Sequence, residues 1–134
     1  MKPEYVVYVL TALAAVVVVL TRLRLTKDAA AGRHQVGLGI LNVHTFCGVL
    51  ALVGWVVYLV GENDLVGVVA LAFWWLTTIA GLLILLRWLP SHGKHATGAR
   101  DDTWSEGPGL SVLAHVGLLV GVLVFTWAYL TSAV

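Results

Sequence analysis

Two histidines differ from the other polar residues of this sequence because each lies well inside a long apolar stretch. His44 lies in VGLGILNVHTFCGVLALVGWVVYLV, and His115 lies in LSVLAHVGLLVGVLVFTWAYL. An ionisable side chain within a membrane is costly, usually faces the protein interior and often marks a functional site. Imidazole is also the side chain that most often binds metals. These two residues are therefore the first candidates for chemistry.

The stretches that carry the histidines are two of four that can each span a bilayer, which takes about 20 mostly apolar residues. The predicted spans cover residues 5–21, 36–60, 65–86 and 110–130. Of the 134 residues, 60% are hydrophobic and 11% are charged, whereas about a quarter are charged in soluble domains. Lipid offers the backbone no hydrogen bonds, so each span should be helical despite its many valines. The sequence predicts an all-α integral membrane protein, one domain folded as an up-down four-helix bundle.

Basic residues are distributed unevenly over the connections between these spans. The two longer loops, residues 22–35 and 87–109, contain Arg22, Arg24, Lys27, Arg33, Arg87, Lys94 and Arg100. The turn at residues 61–64 contains acids and no base. The positive-inside rule then places both longer loops in the cytoplasm and both termini outside. The bases that directly follow the first span also argue against a cleaved signal peptide, so we expect a multi-pass protein of the plasma membrane.

This topology brings the two histidines to the same depth. Spans two and four run in the same direction, and each histidine lies about 10 Å from the cytoplasmic start of its span, at about 1.5 Å per residue. Alternate helices of a four-helix bundle face one another, so the two imidazoles can approach one point from opposite sides. A b-type haem requires this arrangement, because its iron accepts one neutral imidazole from each side while the porphyrin stands between helices.

Further residues are predicted to complete such a haem site. Gly48, four residues after the first histidine, leaves space on the same face for a flat macrocycle. Ser111, one turn before the second histidine, can support that ligand by a hydrogen bond. The propionates would meet arginines on the cytoplasmic side, namely Arg22, Arg24, Arg33 and Arg87. Trp74 and Trp75 lie in mid-span, where they can line a quinone pocket, cover the haem, fill space between helices or face a partner subunit.

A small bundle with one histidine in its second span and one in its fourth resembles the membrane b-type cytochromes. These are the cytochrome b561-like proteins and the haem anchor subunits of succinate dehydrogenases. The resemblance covers the topology, His44 and His115, without a local motif around either residue. It implies one haem b, single-electron transfer to or from quinone, and other membrane subunits as partners. Two-haem members carry a second histidine further along each helix. Here Tyr58 and Tyr129 follow the histidines by 14 residues, so a second haem is not predicted.

Other interpretations need no haem between the two spans. The histidines can hydrogen-bond to each other, to Asn42, or to Thr77 and Thr78, which would hold the helices together. The chain would then be a non-catalytic accessory or scaffold subunit of a membrane complex. Histidines outside the spans can instead bind Zn²⁺ or Cu²⁺ at the cytoplasmic mouth, and these are His34, His92 and His95. That pattern would indicate a protein that handles transition metals or haem.

Several functions are disfavoured by what the sequence lacks. No span holds Asp, Glu, Lys or Arg in its middle, which argues against an ion-coupled transporter. No phosphate-binding glycine loop, nucleophile elbow or HExxH motif occurs, so the chain is not predicted to be an enzyme by itself. The net charge of +1 gives no indication of nucleic acid. Gly117 and Gly121 form a GxxxG motif, which predicts close contact with a neighbouring span, another subunit or a second copy of the chain.

Overall fold

A computed structural model describes residues 2–30, 38–93 and 108–134, with side chains for 2–23, 39–86 and 112–134, and shows four long helices and no strand in these ranges. The helices are α1 (Pro3–Ala30), α2 (Leu38–Gly61), α3 (Asp64–Gly93) and α4 (Pro108–Leu130). Each contains a segment long and apolar enough to cross a membrane, namely Pro3–Leu23, Gly39–Gly61, Asp64–Leu86 and Val112–Leu130. The chain is an all-α, multi-pass membrane protein, and the predicted fold class is confirmed.

Two helices extend beyond the ends that the sequence predicts. Residues 22–30 belong to α1 and residues 87–93 to α3, although both ranges were predicted as loop. No glycine or proline interrupts residues 4–31, so α1 has no local reason to stop where its charged residues begin. Basic side chains also suit the C-terminal end of a helix, where the dipole is negative. The charged residues that follow the first span therefore do not end α1.

A tight turn joins α2 and α3 into an antiparallel hairpin. Glu62 adopts a positive φ of 50°, and its N–H donates to the carbonyl oxygen of Tyr58 at 2.8 Å. The Asn63 side chain accepts a hydrogen bond from the N–H of Val66 at 3.2 Å, which caps the start of α3. Asp64 adds an acid to the first turn of α3, where the helix dipole favours negative charge.

Small residues allow α2 and α3 to approach closely along their length. A Cβ atom placed on Gly54 would lie 3.2 Å from the Cβ of Ala70, and one on Gly48 would lie 3.4 Å from Cγ2 of Thr77. In lipid, helix association depends on van der Waals contact between close backbones more than on the hydrophobic effect. This hairpin is accordingly the most extensive helix contact of the described bundle.

The four helices form a ring in which α2 and α4 are diagonal. α1 and α3 each pack against both α2 and α4, whereas neither diagonal pair makes backbone contact within the described residues. Side chains of α2 and α4 must therefore reach across the centre of the bundle in order to meet.

The bundle is packed tightly at one end and loosely at the other. The half that contains the α2–α3 turn (the turn half) holds a core whose largest members are Trp55, Trp74 and Phe125, all fully buried. The ring centre of Phe125 lies 4.9 Å from that of Trp55 and 5.8 Å from that of Trp74. The opposite half contains both span histidines (the histidine half). There, no residue of 15–23 in α1 or of 112–120 in α4 is buried.

Candidate functional site

His44 of α2 and His115 of α4 meet across the centre of the histidine half. Their ring centres lie 6.0 Å apart and their ring planes are inclined by only 16°. Both side chains are partly buried. The structure thus brings together the two residues that the sequence singled out, and it does so from helices that share no backbone contact.

Both imidazoles rest on a glycine of α3. A Cβ atom on Gly81 would lie 2.6 Å from Cδ2 of His115 and 2.8 Å from Cε1 of His44. These distances are shorter than real Cβ contacts, so any side chain at position 81 would displace the rings. Gly81 was not predicted from the sequence, because glycine is frequent in membrane helices and composition alone does not show which face of α3 meets the histidines.

The spacing of the two rings suits one iron ion between them. Imidazole nitrogens bind first-row metals at about 2.0 Å, which with the ring radii places two ring centres about 6 Å apart across one ion. Within the described residues, no group of three or more His, Cys, Asp or Glu side chains is placed to hold a metal.

The space around the ring pair is bounded differently on its two sides. The α3 backbone at Gly81 borders the gap directly, so a macrocycle between the rings requires the gap to widen there. On the opposite side the bundle is loosely packed, because residues 15–23 of α1 include no buried side chain. A haem between the rings would therefore require the bundle to open, and the loosely packed side is where it could do so.

One nitrogen of the pair has no hydrogen-bond partner. Nδ1 of His44 is buried and unpaired, and the same is true of Oγ1 of Thr77 on α3. A buried polar atom without a partner costs about 1–3 kcal/mol. Histidines that bind metals usually donate their second ring N–H to a polar group. Thr78, considered as a partner from the sequence, instead donates to the carbonyl oxygen of Trp74 at 2.8 Å.

The other residues predicted for the site are placed differently. The space predicted beside Gly48 is filled by α3, because the methyl group of Thr77 lies there. Arg22 lies on α1 with an exposed side chain, and Asn42 on α2 is also exposed. The side chains of the remaining predicted residues lie outside the described part of the chain, and these are Arg24, Arg33, Arg87, Ser111, His34, His92 and His95.

The mid-span tryptophans connect α3 to α4. Trp75 donates its indole N–H to Oγ1 of Thr126 at 3.1 Å, and Trp74 packs against Phe125. Of the roles considered from the sequence, these contacts match the filling of space between helices.

A second ring pair of the same design lies in the turn half. Tyr58 and Tyr129 each follow a histidine of the first pair by 14 residues, and their ring centres lie 5.4 Å apart at an inclination of 57°. They also rest on a glycine, because a Cβ atom on Gly67 would lie 2.8 Å from Cδ2 of Tyr58 and 2.8 Å from Cε2 of Tyr129. We call these three residues the phenol layer, and His44, His115 and Gly81 the imidazole layer.

The two layers repeat along the bundle but differ in their hydrogen bonds. Gly67 and Gly81 of α3 are also 14 residues apart, so the layers are separated by about 21 Å at about 1.5 Å per residue. Tyr58 donates to the carbonyl oxygen of Val134 at 3.3 Å, and Tyr129 donates to that of Asp64 at 3.2 Å. The phenol layer is therefore hydrogen-bonded through both of its hydroxyl groups, whereas the imidazole layer retains a buried unpaired nitrogen.

Comparisons of the chain with protein-family models, with curated proteins and with solved structures found no match. The resemblance to membrane b-type cytochromes accordingly stays a prediction. What the protein does must follow from the geometry of its own residues.

Proposed function

We propose that this protein binds one b-type haem between His44 and His115 and transfers single electrons within the membrane. The observation that supports this most directly is the pairing of two imidazoles from diagonal helices, 6.0 Å apart and 16° from parallel. When bound, the haem supplies one-electron chemistry. His44 and His115 would hold the haem iron through their ring nitrogens, Gly81 would fix the positions of the two rings, and the apolar helices would surround them.

The electron donor and acceptor are proposed to be other membrane subunits or lipid-soluble quinone. Each described helix exposes large apolar side chains along its length, which is the surface that lipid, quinone and neighbouring membrane helices can contact. We place the protein in the plasma membrane with both termini outside. This orientation is supported by the basic residues that follow the first and third spans.

A second candidate function is that of a non-catalytic subunit of a larger membrane assembly. The GxxxG face of α4 favours it, because a Cβ atom on Gly117 or Gly121 would meet nothing within 4 Å. A helix of another subunit could approach this face closely. The metal-handling interpretation depends on His34, His92 and His95, and it stays a prediction.

Absorbance of the purified protein tests the proposal. The chain is expressed with 5-aminolaevulinate to supply haem, purified in detergent, and its spectrum is recorded before and after dithionite. We expect a Soret band, sharp bands on reduction and one haem per chain. His44→Ala and His115→Ala should each abolish these bands, whereas His92→Ala, a control that removes a histidine outside the predicted spans, should leave them unchanged.

A folded but colourless preparation made with haem supplied would contradict the proposal and favour the accessory subunit. Elemental analysis separates the metal-handling interpretation, which requires bound zinc or copper that is lost with His92→Ala. Bands that persist in both His44→Ala and His115→Ala would show that any bound haem lies elsewhere.

A further inference from the structure

Two crevices lie along the lipid-facing side of the α2–α3 hairpin, one in each half of the bundle. The crevice of the histidine half has a volume of about 270 Å³ and is lined by residues within 39–47 of α2 and 76–80 of α3. The crevice of the turn half, of about 400 Å³, is lined by residues within 50–54 of α2 and 65–73 of α3. Both present an almost entirely apolar surface. Both can therefore hold hydrocarbon.

The crevice of the histidine half has dimensions that suit a single hydrocarbon chain. Ile40, Val43 and Leu76 of its lining are exposed, so it opens to the bilayer. Residues 39–47 extend over about 12 Å at about 1.5 Å per residue, which is close to the hydrocarbon thickness of one leaflet, half of about 30 Å. A volume of about 270 Å³ over that length is a narrow channel, whereas a helix with its side chains is about 10–12 Å wide.

The register of the hairpin places a base at the mouth of this crevice. Gly48 of α2 contacts Thr77 of α3. Ten residues further toward the histidine end, α2 begins at Leu38 and α3 continues through Arg87, so these two positions are level with each other. Arg87 also follows Ala80 of the crevice lining by seven residues. Seven residues are about two helical turns, so both positions are on the same face of α3.

The two crevices end beside different charges. The connections at the histidine end, residues 22–35 and 87–109, contain seven bases and four acids. The turn at the other end contains Glu62 and Asp64 and no base. An anionic group is therefore attracted to the mouth of the first crevice and repelled from that of the second.

We propose that the crevice of the histidine half binds one acyl chain of an anionic phospholipid, whose phosphate pairs with Arg87 at the mouth. The headgroup of a lipid lies at the membrane surface, where its own chain enters the bilayer, so one molecule can meet both features. Basic residues next to membrane helices attract anionic headgroups, and a guanidinium group matches phosphate through paired hydrogen bonds. This binding requires no haem, so the inference does not depend on the proposed function.

Two other occupants match only part of this site. A zwitterionic phospholipid fills the crevice equally well, but it gains less from Arg87 because its own cation offsets the phosphate charge. A second copy of the chain would have to insert a helix, which is wider than the channel. The net charge of the headgroup is therefore the property that the experiment must vary.

Native mass spectrometry of the haem-free protein in an uncharged detergent tests the headgroup, with dioleoylphosphatidylglycerol and dioleoylphosphatidylcholine as probes. One molecule of the anionic lipid should bind about fivefold more tightly, the effect of one base near an anionic lipid surface. Arg87→Gln should remove this preference, and Arg87→Lys should retain it. Arg22→Gln is the matched control and should also retain it, because it removes the same charge from α1, which does not contact α3 within the described residues.

Filling the crevice tests the acyl chain separately. Ala80 lies on the lining, so Ala80→Leu should weaken the binding of both lipids. Ala72→Leu, at an exposed position of α3 outside the lining, should leave the binding unchanged. If Ala80→Leu does not fold, Ala80→Val makes the same comparison.

Four results would each overturn the inference. The first is equal affinity of the wild type for the two lipids, and the second is a loss of preference in Arg22→Gln as large as in Arg87→Gln. The third is unchanged lipid binding in Ala80→Leu. The fourth is a wild-type dimer that Ala80→Leu dissociates, since the crevice would then hold a second copy of the chain.

Discussion

The imidazole layer and the phenol layer have the same arrangement of helices but contain different side chains. Each consists of two rings from the diagonal helices α2 and α4 resting on a glycine of α3. The phenol rings are tilted by 57°, and both hydroxyl groups donate to backbone carbonyls. The imidazole rings are nearly parallel, and Nδ1 of His44 is buried without a partner.

The packing around the two layers also differs, and it is tighter around the phenol layer. The phenol layer adjoins the fully buried Trp55, Trp74 and Phe125, whereas the imidazole layer lies where α1 and α4 contribute no buried residue. The difference indicates that the turn half gives the bundle its stability. Buried polar atoms without a partner occur in both halves, because the indole nitrogens of Trp55 and Trp74 also lack one, so the looser packing is what distinguishes the histidine half. Four predictions test this division.

The largest effect is expected from removing a ring of the turn half. Phe125→Ala should lower the free energy of unfolding by about 3–5 kcal/mol, because this side chain is 1% exposed and leaves a cavity. Leu113→Ala on the same helix is the control, since it is 58% exposed in the histidine half and should change the stability by less than about 0.5 kcal/mol. Unfolding by SDS in mixed micelles measures both. Equal losses would show that the two halves are packed alike.

The layer glycines of α3, Gly67 and Gly81, should have different effects when each receives a methyl group. Gly67→Ala should cost about 1–3 kcal/mol of stability by overpacking the phenol rings, without changing the absorbance spectrum. Gly81→Ala should displace the imidazoles and reduce haem occupancy by about tenfold or more, since a shift of one ring breaks the axial geometry. Haem titration and SDS unfolding of both variants provide the comparison. A Gly81→Ala protein with full haem content would contradict the assigned role of Gly81.

A smaller effect is expected from removing one hydroxyl of the phenol layer. Tyr129→Phe loses the hydrogen bond to the carbonyl oxygen of Asp64, which should cost about 0.5–1.5 kcal/mol in thermal unfolding. The haem spectrum should stay the same, because this layer is about 21 Å from the imidazoles. A shift of the reduced bands in Tyr129→Phe would show that the two layers are coupled.

The smallest effect is expected at the bond between α3 and α4. Thr126→Val removes the acceptor of the Trp75 indole N–H, and interhelical hydrogen bonds in membranes contribute about 0.6 kcal/mol on average. Trp75→Phe removes the donor instead. The double variant should lose less unfolding free energy than the two single variants lose together, because either single change already breaks the bond. A double-mutant cycle in the unfolding assay checks this, and strictly additive losses would show that the bond contributes nothing.

The sequence sufficed for the fold and for the two residues at the centre of the site. The length of each apolar stretch indicated the four spans. Because spans two and four run in the same direction, the sequence also placed His44 and His115 at the same depth in the membrane. The sequence did not indicate that Gly81 contacts both imidazoles or that the Thr77 hydroxyl is buried without a partner. Glycine and threonine are ordinary in membrane helices, and only the packing shows what they face. The one available signal was the 14-residue spacing of Gly67 and Gly81, which matches the spacing of histidine to tyrosine on α2 and α4.

The most direct test of the central claim is low-temperature electron paramagnetic resonance of the oxidised, haem-loaded protein. Two imidazoles that bind one iron with nearly parallel planes should give a rhombic, low-spin signal, and neither His44→Ala nor His115→Ala should show it, because each variant is expected to lose its haem. A high-spin signal in the wild type, or a low-spin signal that survives loss of either histidine, would contradict shared ligation by the imidazole layer.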